Sequence, residues 1–128
     1  MKPELMLLLW SIALMFAQML VSTIGAQLQV GLPMLAGNHE KFPEITGWAG
    51  RARRAYYNMI DNMVLFVPLV LVAVMIGKTN DTTLLGAQLF VWARLVYAIV
   101  YLIGIPWLRT GVWVVSVVGL VMIFVQLV

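Results

Sequence analysis

The chain has 128 residues, 63% of them hydrophobic and only 10% charged, with a mean hydropathy of +1.00 and a net charge of +3. A soluble domain of this size cannot hide so much apolar surface, so composition excludes a water-soluble globular protein and names the bilayer as solvent. In that setting lysine and arginine near span ends report orientation, and the basic balance does not imply a nucleic-acid partner.

From Leu5 to Asn38 no residue is charged, and residues 5–28 suffice to cross ~30 Å of hydrocarbon. This first predicted span is expected to be retained, because it is too long for a signal-peptide core and no small-residue cleavage site follows. Residues 31–50 hold Pro33, Pro43 and four glycines, which predicts the longest loop. A second span is predicted over 55–77, kinked at Pro68, followed by a polar turn at Lys78–Thr83. The third span covers 84–105, and Gly104-Ile105-Pro106 makes a tight connection to the fourth, 110–128. Barrel strands would need short segments of alternating polarity, which these continuous apolar runs lack. The expected fold is therefore all-α: one integral membrane domain, a four-helix bundle of up-down topology.

The connections holding Lys41, Arg51, Arg53, Arg54 and Arg109 face one side, and only Lys2 and Lys78 face the other. The arginine-rich side is predicted to be cytoplasmic and both termini non-cytoplasmic. With no cysteine, the chain has no disulfide, thiolate metal site or thiol nucleophile of its own; any thiol must be imported. The single histidine, His39, has no second His or Cys near it, so no metal is expected. Trp10, Trp48, Trp92, Trp107 and Trp113 read as interface anchors and packing residues. Ala13/Ala17 and Ala73/Gly77 have the small-xxx-small spacing of close helix contacts.

Charges inside the spans mark the candidate site. Arg51, Arg54, Asn58 and Asp61 follow at intervals of three, four and three, which puts them on one helical face. Asp61 lies about two turns inside its span, where an ionised carboxylate facing lipid costs ~2.5–3.5 kcal/mol and calls for a cationic partner or a wet cavity. Arg94 is central in the third span and shares a face with Tyr97 and Tyr101. Since arginine stays charged, Arg94 must be neutralised, and pairing with Asp61 or a shared network is predicted. Arg109, opening the fourth span, joins this end of the bundle. Such a cluster suits a carboxylate ligand, which a planar guanidinium grips with two parallel hydrogen bonds.

Two segments, Arg51-x-x-Arg54-Ala55-x-x-Asn58-x-x-Asp61-Asn62 and Ala93-Arg94-x-x-Tyr97-x-x-x-Tyr101, resemble the MAPEG superfamily of membrane-associated proteins in eicosanoid and glutathione metabolism. Leu108-Arg109-Thr110 and the Gly37-to-Glu40 run leading to Gly47-Trp48-Ala49-Gly50 look like bacterial members. The resemblance implies a homotrimer in a bacterial inner membrane, with glutathione bound between subunits near the cytoplasmic face. It implies that Arg51, Arg54, Asn58, Asp61, Arg94, Tyr97 and Tyr101 hold glutathione and that Arg109 stabilises its thiolate. The implied activity is that of a glutathione-dependent transferase or peroxidase acting on lipophilic electrophiles or lipid hydroperoxides. The chain departs from the catalytic pattern at Asp61 (usually glutamate), at Tyr56 (often His or Gln) and at Gln27 and Gln29, where an arginine often contacts the ligand. Those departures motivate an alternative, a non-catalytic lipid-binding or scaffolding protein. A transporter or channel lacks the inverted repeats and broken helices expected of many transporters.

Overall fold

A computed structural model describes residues 2–31, 37 and 44–128. Four helices follow in order: α1 Pro3–Val30, α2 Gly47–Met75, α3 Asp81–Ile103 and α4 Pro106–Leu127. All four are long and apolar enough to cross a membrane. Pro33, His39, Glu40, Lys41 and Pro43 of the predicted loop lie outside the described residues.

The topology is up-down. Lys2 Nζ donates to Thr79 Oγ1 at 3.3 Å and Asn80 Nδ2 to Gln126 Oε1 at 2.9 Å, which gathers both chain ends and the α2–α3 turn at one end of the bundle. At the other end, Gly104 adopts a left-handed conformation (φ 90°) that a side chain would strain, and Pro106 opens α4 at a position that needs no helical N–H. This short reversal lays α4 antiparallel against α3, and theirs is the most extensive helix interface. α1 packs mainly on α2, and no Cα of α1 comes within 8 Å of one of α4.

α2 begins at Gly47, eight residues before the predicted span start at Ala55, so Arg51, Arg53 and Arg54 stand in its first turns. The Thr46 side chain does not cap it. Instead Gln29 at the end of α1 grips the Thr46 backbone as another strand would, Nε2 donating to its carbonyl at 2.6 Å and Oε1 accepting its N–H at 3.0 Å. α2 then continues through Pro68, whose missing N–H leaves the Val64 carbonyl without its helical donor. α3 opens on a reciprocal cap: Thr83 N–H donates to Asn80 Oδ1, and Asn80 N–H to Thr83 Oγ1, each at 2.9 Å.

The core joins Met59, Met63, Phe66 and Val70 of α2 to Ala87 and Phe90 of α3 and Leu120 and Ile123 of α4. Its centre is the stacked pair Phe66 and Phe90, with ring centroids 4.0 Å apart. Outside it, large apolar side chains such as Leu9, Phe16, Leu65, Val72 and Phe124 are exposed on the isolated chain. That arrangement is costly in water and favourable in hydrocarbon.

Close helix crossings fall on Gly25, Gly86 and Gly119, which the sequence reading does not single out. A Cβ on Gly119 would lie 2.5 Å from the Gly86 carbonyl oxygen and 3.0 Å from the Phe90 nitrogen. On α1 and α2, Gly25 meets Ala49 in the same way, whereas Gly77 sits in the turn after α2 with φ 70°. Gly119→Ala therefore forces backbone apart from backbone and is expected to cost about 1–3 kcal/mol, read as a lower melting temperature in detergent. Gly111→Ala, on the same helix with nothing within 4 Å of the new methyl, should leave melting unchanged or raise it slightly.

Candidate functional site

Three helix ends, the start of α2, the end of α3 and the start of α4, bring arginines to one end of the bundle. Arg94 is the largest fully buried side chain, 1% exposed. It lies on α3 between the polar side of α2 and the start of α4. Its Nη2 donates to Asn58 Oδ1 at 2.8 Å, and its guanidinium carbon stands 4.2 Å from the centre of the Tyr97 ring. Among the described residues its Nε and Nη1 have no hydrogen-bond partner.

Asn58 is held from two sides. Asn62, one turn further along α2, donates from Nδ2 to the Asn58 carbonyl at 2.8 Å and to Asn58 Oδ1 at 3.1 Å. With Oδ1 accepting from both Arg94 and Asn62, the oxygen end of the carboxamide is fixed and its NH2 remains the available donor.

Next to Tyr97, the Tyr101 ring lies 5.5 Å away centre to centre, and the Arg109 guanidinium carbon stands 4.5 Å from the Tyr101 ring centre. Two tyrosines thus sit between two guanidinium groups, each cation over an aromatic face. Asn58, Tyr97, Arg109, Thr110 and Trp113 line a polar cleft of about 180 Å³, and Arg94 lies behind its lining, in contact with Asn58 and Tyr97. Among the described residues neither Arg94 nor Arg109 has a carboxylate partner. This end of the bundle thus gathers two positive charges, two guanidinium nitrogens without a partner among the described residues, an amide NH2 and hydroxyls, a set of donors whose chemistry suits an anion.

A family model for the MAPEG family matches residues 5–128. The chain belongs to the MAPEG family. No curated protein and no solved structure gives a significant match.

Of the residues named from the sequence of this MAPEG chain, Asn58, Arg94, Tyr97, Tyr101 and Arg109 converge on the cleft. Arg51, Arg54 and Asp61 stand elsewhere in the isolated chain. Arg51 donates from Nε to the Leu102 carbonyl at 3.0 Å, binding the last turn of α3, where a cation meets the negative end of the helix dipole. Arg54 is exposed. Arg53 donates from Nε to the Tyr57 hydroxyl at 2.9 Å.

The expected contact between Asp61 and Arg94 does not form. The buried stripe of α2 runs through Ala55, Met59, Asn62, Met63 and Phe66. At 100° per residue Asp61 lies a quarter turn behind Asn62 and is turned outward, and Asn58 takes its place opposite Arg94.

Three contributors went unassigned in the sequence. Asn62 follows Asn58 by four and could have been found on that spacing alone. Thr110 and Trp113 follow Arg109 by one and four; Trp113 reads as a membrane-interface anchor by type, yet lines the cleft. Trp92 stands in the middle of α3, away from the helix ends where an interface anchor sits.

Proposed function

We propose that this MAPEG chain is a glutathione-dependent membrane transferase or peroxidase acting on lipophilic electrophiles or lipid hydroperoxides. The observation that carries the reading is the fully buried Arg94 with two unpartnered guanidinium nitrogens beside a cleft that already holds a second cation, Arg109. An unpaired buried charge is expensive, so the arrangement makes physical sense where a ligand supplies the missing anion. The donor set fits glutathione, a peptide bearing two carboxylates. Its thiol supplies the nucleophile or reductant that a chain without cysteine cannot.

The chain's own residues then bind and polarise. Arg94 keeps two unpartnered N–H groups, Nε and Nη1, on different edges of its guanidinium because Nη2 is held by Asn58, so each offers a separate charge-assisted hydrogen bond, and Asn58, anchored through its oxygen, offers its amide NH2. Tyr97 and Tyr101 hold the two guanidinium groups apart and in place through their ring faces. Arg109 is the catalytic candidate, because a cation held at the cleft wall favours the ionised over the neutral form of a thiol beside it.

The cleft opens at Thr110 and Trp113, both exposed in the isolated chain, and a neighbouring subunit of a homotrimer would close it. In that assembly Arg54 and Asp61, exposed on the isolated chain, would be available to ligand or neighbour, while Arg51 holds the last turn of α3. The arginine-rich end faces the cytoplasm and both termini the opposite side of a bacterial inner membrane, as the positive-inside rule directs.

Titration calorimetry of the detergent-purified protein with glutathione tests the reading. Binding between micromolar and millimolar concentrations is expected, with thiol-dependent turnover of a lipophilic aryl halide or a fatty-acid hydroperoxide. No heat at millimolar glutathione, together with co-purified lipid and no turnover, would sink it and leave the lipid-binding or scaffolding alternative standing.

A further inference from the structure

The cleft and the guanidinium behind it are closed off from each other. Arg94 Nε and Nη1 are buried as well as unpartnered among the described residues, so nothing that enters the cleft touches them while the side chains stay where they are. Asn58 and Tyr97 form the wall. Both line the cleft on one side; on the other, Asn58 Oδ1 accepts from Nη2 and the Tyr97 ring lies over the guanidinium, its centre 4.2 Å from the central carbon. The cleft in front of that wall is also small: about 180 Å³, below the ~300 Å³ at which pockets for small molecules begin. The cation in its lining is Arg109, not Arg94.

The two halves of the wall are held differently. Asn58 Oδ1 accepts two hydrogen bonds, from Arg94 at 2.8 Å and from Asn62 at 3.1 Å, and turning the carboxamide away breaks both. Among the described residues the Tyr97 side chain makes no hydrogen bond; its ring is held by the Arg94 cation and by the Tyr101 ring, 5.5 Å away centre to centre. Such ring contacts are weaker and less directional than a charge-assisted hydrogen bond. A tyrosine in a helix has two common χ1 positions, so one rotation carries the ring off the guanidinium without disturbing the backbone of α3. An anion that then reaches Nε and Nη1 replaces the ring contact with charge-assisted hydrogen bonds, which favours the open position only when ligand is present.

We infer that Arg94 is a closed inner subsite for a ligand carboxylate and that Tyr97 is its gate. An anionic ligand is held first in the cleft at Arg109, and one of its carboxylates reaches Arg94 only once the Tyr97 ring has left the guanidinium. With glutathione as that ligand the inference rests on the function proposed above, to which it adds a second, slower step in binding and a residue that controls it.

Stopped-flow tryptophan fluorescence of the detergent-purified protein mixed with glutathione tests it, since Trp113 lines the cleft and reports its occupancy. In the wild type the observed rate is expected to rise with glutathione and level off, the mark of a rearrangement that becomes limiting. Tyr97→Leu, which cannot cover the guanidinium, should give a rate that stays linear in glutathione and exceeds the wild-type plateau about tenfold, with equilibrium affinity equal to the wild type or tighter because the cost of opening is gone. Tyr97→Phe keeps the ring and should keep the plateau, which separates gating from a ligand contact through the hydroxyl. Arg94→Leu, which removes the inner subsite behind an intact Tyr97, should lose the slow step. A linear rate in the wild type while calorimetry shows binding, or a plateau that survives Tyr97→Leu or Arg94→Leu, overturns the gate and leaves the glutathione reading standing. Absence of binding by calorimetry removes both.

Discussion

Arg109→Ala is expected to lower kcat for thiol-dependent turnover by about 100- to 1,000-fold, the range seen when one preorganised group facing a developing anion is removed. The expectation rests on position. Arg109 lines the cleft, is half-buried, and is steadied over the Tyr101 ring at 4.5 Å, so its charge acts where water is partly excluded. The pH dependence separates this role from a structural one. A cation that favours the thiolate matters most where a free thiol would be protonated, so the loss should be greatest near pH 6.5. It should shrink as pH rises through ~8.5, the ordinary thiol value, where ionisation no longer needs help. Arg109→Lys keeps the charge but loses the planar stacking on Tyr101 and should recover only part of the rate. Turnover that is unchanged in Arg109→Ala, or reduced equally at every pH, would remove Arg109 from the chemistry.

The bundle itself was legible because the bilayer imposes a simple length and hydropathy rule, and the four apolar runs obey it. The charged faces were legible in part, for a reason visible at Asp61. Its spacing from Arg51, Arg54 and Asn58 spreads the four residues over an arc of about 80°, and spacing alone does not say which edge of that arc meets α3. In a soluble protein the apolar stripe would decide. Here apolar residues surround the helix, and the inward direction is set by Met59, Met63 and Phe66 meeting Phe90 and Ile123 of other helices. The same limit hid the Gly86–Gly119 crossing. Small residues mark a close approach only when the partner helix places a small residue opposite, which is a property of two helices and not of either one. The start of α2 was placed late because Gly47 and Gly50 argue for a loop locally. What carries the helix back to Gly47 is the Gln29 clamp on Thr46 from α1, a tertiary contact between residues 17 apart.

Arg94→Leu should weaken glutathione binding by about 10- to 100-fold and leave the melting temperature in detergent unchanged or raised. The two halves of this prediction come from one observation, that a fully buried guanidinium has a single hydrogen bond, to Asn58 Oδ1, and two nitrogens with none. Without ligand such a group is a burden to the fold, because removing a charge from water is only partly offset by one neutral acceptor and a tyrosine ring. An apolar side chain of similar volume, though shorter, relieves that burden, and Asn62 still donates to Asn58. With ligand bound, the same two nitrogens make charge-assisted hydrogen bonds worth roughly 1.5–3 kcal/mol, which sets the expected loss of affinity. Arg94→Lys separates charge from geometry: its ammonium restores the charge without the fixed planar array of donors, so affinity should fall between that of the wild type and Arg94→Leu. A variant that melts several degrees lower yet binds glutathione as tightly as the wild type would make Arg94 a strut between α2 and α3 and move the anion site elsewhere. The predicted combination, weaker binding in a protein no less stable, is what a binding group held in the bundle at the fold's expense requires.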